Sequence, residues 1–162
     1  MSRRRHALGV ISDTHGLLRP EAVEALRGSE VIVHAGDIGS PEVLRALTEI
    51  APVVAVRGNN DRGPWAETIP LFETLELGRA SFYVLHDVNE LDLDPRAAGF
   101  AAVIAGHSHQ PRSEERGGVL YFNPGSAGPR RFRLPISIGR ILIEGSRVTG
   151  VLETLEIRES LG

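Results

Sequence analysis

The sequence predicts a single mixed α/β domain in which two β-sheets pack together and helices lie on the outside. In the first third, short apolar runs alternate with amphipathic segments, which indicates parallel strands joined by helical crossovers. In the last third, apolar runs are separated by short turns, which favours antiparallel pairing. The chain has 162 residues, 41% of them hydrophobic and 24% charged, a composition typical of one globular domain. We therefore expect one domain over 1–162, with 1–5 a flexible N-terminus and 156–162 a C-terminal tail.

The first third is expected to form a βαβαβ succession. Pro20 suits the first position of a helix and Gly28 suits its end, while Ser40-Pro41-Glu42 has the pattern of a cap, a first position and a first turn. Gly58 stops the third strand. The predicted strands are 7–12, 31–35 and 53–56, and the predicted helices are 20–27 and 41–50.

The remainder is expected to supply the second sheet and the strands that complete the first. Gly78-Arg79 lies between two apolar runs and predicts a hairpin, and Glu144-Gly145-Ser146 predicts a second turn. A short helix is predicted at 95–98. The predicted strands are 71–77, 80–85, 100–105, 119–122, 136–143 and 148–155.

Composition excludes several functions. The chain contains no cysteine and no lysine, which removes thiolate metal sites, thiol nucleophiles, Schiff bases and P-loop lysines. A formal charge of -3 argues against a nucleic-acid partner. The N-terminal apolar run is too short for a membrane span and is broken by Asp13 and His15. We expect a cytoplasmic protein with no membrane partner, and a homo-oligomer is left open.

Polar side chains follow the predicted strands at the points where those strands end. Because ligands bind outside the carboxyl ends of strands in open α/β sheets, these loops are expected to converge. Residues two apart in an extended segment face the same side, so Asp13 pairs with His15 and His107 pairs with His109. The loops are Asp13-Thr14-His15, Gly36-Asp37, Gly58-Asn59-Asn60-Asp61, His86 and Gly106-His107-Ser108-His109.

These groups suit metal chemistry. Imidazole and carboxylate together, without sulfur, favour Mn²⁺, Fe, Zn²⁺ or Ni²⁺ over ions that take oxygen ligands alone. A domain of this size buries enough surface to fold without a metal. The sequence therefore indicates that any bound metal serves chemistry rather than folding.

The ordered motifs Asp13-x-His15, Gly36-Asp37, Gly58-Asn59-x-Asp61, His86 and Gly106-His107-x-His109 resemble those of the calcineurin-like metallophosphoesterases, over about residues 7 to 145. The small prokaryotic phosphodiesterase branch, which is the most similar, also carries a segment like Asn123-Pro124-Gly125-Ser126. The resemblance implies a four-layer αββα sandwich and two divalent metal ions, with Mn²⁺ our first expectation. It implies one metal held by Asp13, His15, Asp37 and His109. It implies a second metal held by Asp37, Asn59, His86 and His107, so that Asp37 bridges.

The resemblance further implies hydrolysis of phosphate esters by a hydroxide that the metals hold. The sequence departs from the family pattern at Asn60, where many relatives have a histidine that donates a proton or contacts the phosphate. We place Asn60 and Asp61 at the catalytic position, although Asn60 cannot transfer a proton. Asp87 replaces a common glycine after His86. Asn60 and Arg131 are the predicted substrate contacts, although for Arg131 a solvated loop is the alternative.

Two functions of different classes fit these residues. The first is a phosphodiesterase that acts on a small phosphate ester. The alternative is a metal-binding scaffold or protein-interaction module with the same fold and weak or no catalysis. A nuclease is disfavoured because only 5% of residues are aromatic and few side chains are available to stack on bases. The sequence favours the enzyme, because a scaffold has no need to retain all seven ligand positions.

Overall fold

The computed structural model describes residues 5–158, which form two five-stranded β-sheets packed face to face. The predicted fold class is confirmed. The helices are α1 (Pro20–Leu26), α2 (Pro41–Thr48) and α3 (Pro64–Glu67). The strands are β1 (Arg5–Ile11), β2 (Val31–His34), β3 (Val53–Ala55), β4 (Phe72–Leu77), β5 (Ala80–Leu85), β6 (Ala102–Ile104), β7 (Arg112–Arg116), β8 (Val119–Asn123), β9 (Ser137–Glu144) and β10 (Arg147–Thr154).

The first sheet has the strand order β10-β9-β1-β2-β3. Strands β1, β2 and β3 are parallel, and β9 is antiparallel to both β1 and β10. Both α1 and α2 begin with proline, whose fixed φ suits the first helical position. Their apolar faces, which include Leu26 and Leu47, pack in one buried cluster with Ile11 and Ile32 from the sheet. The carboxyl ends of β1, β2 and β3 therefore lie at the same edge of the sheet, and α1 and α2 pack against one of its faces.

The second sheet has the strand order β4-β5-β6-β8-β7. Strands β5, β6 and β8 are parallel, whereas the edge strands β4 and β7 pair antiparallel with their neighbours. The expectation of purely antiparallel pairing in the last third is therefore wrong for β8, which lies beside β6. Phe82 and Phe122 from this sheet pack against Leu8 and Ile141 from the first sheet. This contact forms the core between the sheets.

The segment between β5 and β6 differs from the prediction. Residues 95–98 form a turn rather than a helix, because Gly99 adopts a φ of 87° and ends the structure after one turn. A 3-10 turn at Val88–Glu90 lies earlier in the same connection. This connection packs Leu91 and Phe100 on the outer face of the second sheet.

Sequence reasoning also missed two elements, α3 and β7. The expected flexible terminus at 1–5 lies outside the described residues except for Arg5, which belongs to β1. The expected tail at 156–162 is described only to Arg158, whose backbone N–H donates to Glu21 Oε2. No helix within 5–158 is long and apolar enough to span a membrane.

Candidate metal centre

The carboxyl ends of β1, β2, β5 and β6 bring imidazole and carboxylate groups together. Two groups of three residues each place ligand atoms within 4.8 Å of one another. Asp13 belongs to both groups, because its Oδ1 lies 3.4 Å from His109 Nε2 and 3.9 Å from His86 Nε2. The groups are Asp13, His15 and His109, and Asp13, Asp37 and His86.

Asp37 belongs to the second group and also approaches the first. Its Oδ2 is 3.3 Å from His86 Nε2 and 3.7 Å from His15 Nε2. One carboxylate oxygen therefore faces a histidine from each group, which is the placement that a bridging ligand requires. That Asp37 bridges two metals stays a prediction.

The two remaining predicted ligands lie at the solvent side. His107 Nδ1 is 3.3 Å from His86 Nε2, within hydrogen-bond distance, so His107 adjoins the second group. The His107 side chain is 43% exposed. Asn59 is exposed in the turn after β3, beside Asn60, which contacts Asp37. Six of the seven predicted ligands thus form one contiguous cluster, and Asn59 lies at its margin.

The donor set fits a metal. Asp13 Oδ1 and His15 Nε2 are buried and have no hydrogen-bond partner among the described residues. Burying a polar atom without a hydrogen-bond partner costs free energy, so two such atoms side by side indicate a binding site for a ligand. A divalent cation bound between them would satisfy both the carboxylate oxygen and the imidazole nitrogen.

The fold holds Asp13 rigidly. Its Oδ2 accepts hydrogen bonds from Ser12 Oγ at 2.7 Å and from the backbone N–H of His107 at 3.1 Å. Gly106 makes this approach feasible, because a Cβ there would overlap Ser12 Oγ and lie 2.6 Å from Asp13 Oδ2. Asp13 Oδ2 therefore links the loop that follows β1 to the loop that follows β6. The other carboxylate oxygen, Oδ1, faces the cluster.

His86 is oriented by its backbone partner. Its Nδ1 donates to the carbonyl oxygen of Ala35 at 2.7 Å, so Nε2 faces Asp37. Burial lowers the pKa of His86, but the bonds to Asp37 and Ala35 outweigh it and raise the pKa to about 9. Burial likewise raises the pKa of Asp37, yet bonds from His86 and Asn60 outweigh it and hold the pKa well below its usual range. A metal would replace the proton on His86 Nε2.

A buried hydrogen-bond chain ties the β1 loop to the β2 loop. Gly36 N–H donates to His34 Nδ1, so the proton of the neutral ring lies on Nε2, which faces Thr14 Oγ1 at 3.0 Å. Thr14 Oγ1 in turn donates to the carbonyl oxygen of Ile38 at 2.8 Å. Burial lowers the pKa of His34 to about 4, which keeps the ring neutral and able to accept from Gly36. His34 thus has the supporting role that its position in a strand favours.

The site is built on unusual backbone geometry. Six described residues other than glycine have positive φ, and five of them are predicted ligands. A positive φ is rare for residues with a Cβ and costs free energy, and such residues cluster at functional sites. The five are Asp13, His15, Asp37, His107 and His109, with φ between 47° and 71°. Asp and His are enriched at positive φ, but this preference alone does not identify these five positions.

Asn60 and Asp61 both form hydrogen bonds with the loop that follows β2. Asn60 donates to Asp37 twice, from its backbone N–H at 2.9 Å and from Nδ2 at 3.0 Å. Asp61 is buried, and its two oxygens accept the backbone N–H groups of Ile38, Gly39 and Gly58. Asp61 therefore clamps the β2 loop to the β3 loop. The catalytic role predicted for these two residues stays a prediction.

Three further features surround the cluster. Asp87 Oδ2 is 3.8 Å from His107 Nε2, and its Oδ1 accepts the backbone N–H of Asn89. Ser126 Oγ donates to the carbonyl oxygen of Asp13 at 3.0 Å, so the segment at 123–126 supports the β1 loop. Arg131 is exposed between Ser126 and β9. Its contact with a substrate stays a prediction.

Comparison with known proteins agrees with this geometry. The profile of the calcineurin-like phosphoesterase superfamily domain matches residues 7–146. The fold and cluster are those of a metal-dependent phosphoesterase, and the chain belongs to the calcineurin-like phosphoesterase superfamily.

Relatives and solved structures extend this result. The chain is 38% identical over 152 residues to a protein of Methanothermobacter thermautotrophicus named "Probable metallophosphoesterase", covering 87% of this chain and 88% of that protein. It is 28% identical over 160 residues to phosphodiesterase YfcE of Escherichia coli K12, covering 80% and 84%. It superposes on vacuolar protein sorting 29 of Cryptosporidium parvum with a TM-score of 0.76 and 22% identity, covering 90% and 89%. The last similarity concerns the fold alone.

Proposed function

We propose that the protein is a dinuclear-metal-dependent phosphodiesterase that hydrolyses small phosphate esters in the cytoplasm. The observation that carries this proposal is a pair of buried ligand atoms, Asp13 Oδ1 and His15 Nε2, that have no hydrogen-bond partner within residues 5–158 and lie in two adjoining His/Asp groups. Membership of a phosphoesterase superfamily supports the reaction class. The name of the Escherichia coli relative supports a diester substrate.

We assign one metal to an inner site and the second to an outer site, with Mn²⁺ the proposed ion. Asp37 belongs to both, which its short distances to His15 and His86 support. The inner ligands are Asp13, His15, Asp37 and His109. The outer ligands are Asp37, Asn59, His86 and His107.

The protein's own residues would hold and orient the reactants. When bound, two divalent ions supply a water of lowered pKa and neutralise charge on the phosphate. Asn60 fixes the orientation of Asp37 through its two hydrogen bonds. Asp61 fixes the backbone on which Asp37 and Asn60 lie. Arg131 would bind a nonbridging phosphate oxygen through its guanidinium group.

Proton supply to the leaving group differs from the family pattern. Asn60 donates hydrogen bonds but cannot give up a proton at neutral pH. An alkoxide leaving group needs a proton, whereas an aryl oxide leaves readily without one. We therefore expect phosphodiesters with acidic leaving groups to be the better substrates.

The experiment that tests this function joins metal analysis to an assay. Purified protein is stripped with a chelator, reloaded with Mn²⁺ and assayed with bis(4-nitrophenyl) phosphate. We expect two metals per chain and hydrolysis that chelation abolishes. Because the core is large enough to fold unaided, we expect the cooperative thermal transition to persist after chelation. Reloaded protein that binds no metal, or binds metal without hydrolysing the ester, would contradict the proposal.

The alternative is a metal-binding scaffold with weak or no catalysis. The loss of a protonatable group at Asn60 favours it, as does the fold similarity to vacuolar protein sorting 29. A scaffold would bind the metals with little or no hydrolysis, and a thermal transition that is lost on chelation would assign those metals to structure. The same two measurements therefore separate the two functions.

A further inference from the structure

A cavity adjoins the cluster on the far side of His107. It has a volume of about 220 Å³ and lies on the outer face of the second sheet, against β6, β8 and β7. Of the predicted ligands only His107 lines it, and Asp87 lines it beside that ring. His107 Nδ1 faces the cluster and Nε2 faces Asp87. The ring thus borders both the cavity and the cluster.

The middle of the cavity has an apolar floor, formed by the sheet, and uncharged side chains above it. Val103, Ala105 and Tyr121 supply sheet-facing apolar surface, whereas Asn89 and Gln110 supply amide groups. A sheet face is nearly flat over this distance and suits a planar group. Because drug-sized ligands occupy roughly 300–1,000 Å³, this smaller cavity suits one substituted ring.

The two ends of the cavity carry opposite charge. Arg112 and Arg116 lie on the edge strand β7, at 3.2 Å and 3.8 Å from Glu114, so one carboxylate serves two guanidinium groups. Arg116 also stacks on Tyr121, with Cζ 4.4 Å from the ring centroid. Asp87 lies at the other end, next to His107. A ligand with one anionic end would therefore point that end toward β7.

Spacing in the sheet sets the length of such a ligand. Strand β8 lies between β6 and β7, so β7 is about 10 Å from β6, since neighbouring strands lie about 4.8 Å apart. The register pairs Arg112 with Asn123, whose Nδ2 donates to the carbonyl oxygen of Gly106. Along the strand direction, Arg112 therefore lies at the same position as the loop that follows β6 and carries His107. It is displaced from that loop toward the edge of the sheet.

We propose that this cavity holds the leaving group of the phosphodiester. The geometry selects a planar, largely apolar leaving group that bears a carboxylate or phosphate on the end remote from the scissile bond. Arg112 and Arg116 bind that anion, and Asp87 repels it from the metal end. This inference rests on the proposed function and adds the class of substrate.

The kinetic test uses two esters that differ in one charged group. Methyl 4-nitrophenyl phosphate is compared with the same ester carrying a carboxylate beside the nitro group, using Mn²⁺-loaded protein. The quantity measured is the ratio of the two kcat/KM values, charged over neutral. We expect the double variant Arg112→Gln, Arg116→Gln to lower this ratio about fivefold, the size of a partly exposed ion pair.

The matched control is Arg147→Gln. Arg147 is exposed at the opposite end of the first sheet, where it pairs in register with Glu144. This control is expected to keep the wild-type ratio. Because each ratio is compared with the ratio of another protein, the different leaving-group pKa values of the two esters cancel. A ratio that is equal in wild type, control and double variant overturns the inference while leaving the proposed function intact.

A binding measurement decides the matter without catalysis. Free 5-hydroxy-2-nitrobenzoate, the leaving group itself, is titrated into ¹⁵N-labelled, Zn²⁺-loaded protein. We expect saturable shifts of the backbone amides of Asn89, Val103 and Gln110, weakened about fivefold in the double variant. Absent shifts at millimolar ligand, or shifts confined to other surfaces, overturn the inference. If neither ester is hydrolysed the proposed function fails, and the titration still tests the cavity.

Discussion

The inner and outer halves of the proposed metal centre differ in how firmly the fold holds them. We define the inner half as Asp13, His15 and His109 and the outer half as Asn59, His86 and His107. His86 is also buried, so the two halves differ at Asn59 and His107. Asp13 and His109 are almost completely buried, whereas His107 is 43% exposed. Asp13 is also fixed by a side-chain and a backbone donor. The inner half is therefore prepared for a metal before one binds.

The difference in burial between the two halves indicates where substitutions can be tolerated. A buried ligand whose neighbours are fixed cannot be replaced by water without leaving other polar atoms unpaired. An exposed ligand can be replaced by water at lower cost. The departures from the family pattern, Asn60 and Asp87, both adjoin the outer half. Four predictions test the comparison.

The largest effect is expected from Asp37→Ala, which removes the group shared by both halves. We expect both metals to be lost under conditions that load the wild type, and activity to fall at least about 100-fold, the upper end for partners of metal ligands. Elemental analysis of dialysed protein measures the metal content. Asp92→Ala, an exposed carboxylate, is the control. Two metals retained in the Asp37 variant would remove the bridging role.

The next effect tests how much the inner half depends on neutral His34. The pKa of His34 is about 4 in the folded protein and 6.5 in the unfolded chain, so only the unfolded chain gains a proton between these values. The contribution of His34 to the free energy of unfolding is fully present above the unfolded-state pKa of 6.5 and is lost as the pH falls toward 4. Between pH 7.5 and 5 the loss is about 2 kcal/mol.

The measurement compares wild type with His34→Asn by urea unfolding of metal-free protein at both pH values. Asparagine can accept from Gly36 but does not titrate in this range. The wild type is expected to lose about 2 kcal/mol more than the variant on acidification. Equal losses would show that His34 is not the buried, neutral group that the hydrogen bonds indicate.

A direct comparison of the two halves comes from His109→Asn and His107→Asn. Asparagine tolerates the positive φ of both positions. We expect metal affinity to fall at least about 100-fold for the inner residue and about tenfold for the outer one, on the scale known for the partners that orient metal ligands. Calorimetric titration with Mn²⁺ measures both. An equal loss would mean that burial does not distinguish the halves.

The smallest effect is expected from Asn60→His, which lies beside the outer half. A histidine there restores a protonatable group, and we expect turnover of alkyl esters to rise about tenfold with little change for nitrophenyl esters. This is less than the roughly 10²–10⁴-fold of a well-placed general acid, because Asp61 is held by backbone N–H groups and is not free to orient the ring. Rates are compared across leaving groups of different pKa. An equal rise for every ester would assign position 60 to phosphate binding.

Much of the fold follows from the sequence because apolar runs and turn residues are local signals. Gly78-Arg79 lies at the hairpin between β4 and β5 as predicted. Strand β7 could not be found in this way, because Arg112–Arg116 contains no apolar residue and pairs on one side only. The helix predicted at 95–98 fails because Asp94 caps only a single turn, which Gly99 ends.

For the site, the order of motifs after the strands predicts which side chains converge, since parallel strands end at one edge. The order of motifs does not predict the hydrogen bonds that hold these side chains and their loops in place. The bonds of Asp61 to Ile38, Gly39 and Gly58 and the contact of Ser126 with Asp13 depend on loops far apart in sequence. The cavity beside His107 depends on β7, so it was also beyond sequence reasoning.

The charged edge strand β7 has a consequence for self-association. An edge strand exposes a row of backbone donors and acceptors that can template the addition of another chain. Four of its five residues, Arg112, Glu114, Glu115 and Arg116, carry charge. A strand from a second molecule added there would have to align with these charges and desolvate part of them. The residues that give the cavity its polarity thereby also discourage aggregation through this edge of the sandwich.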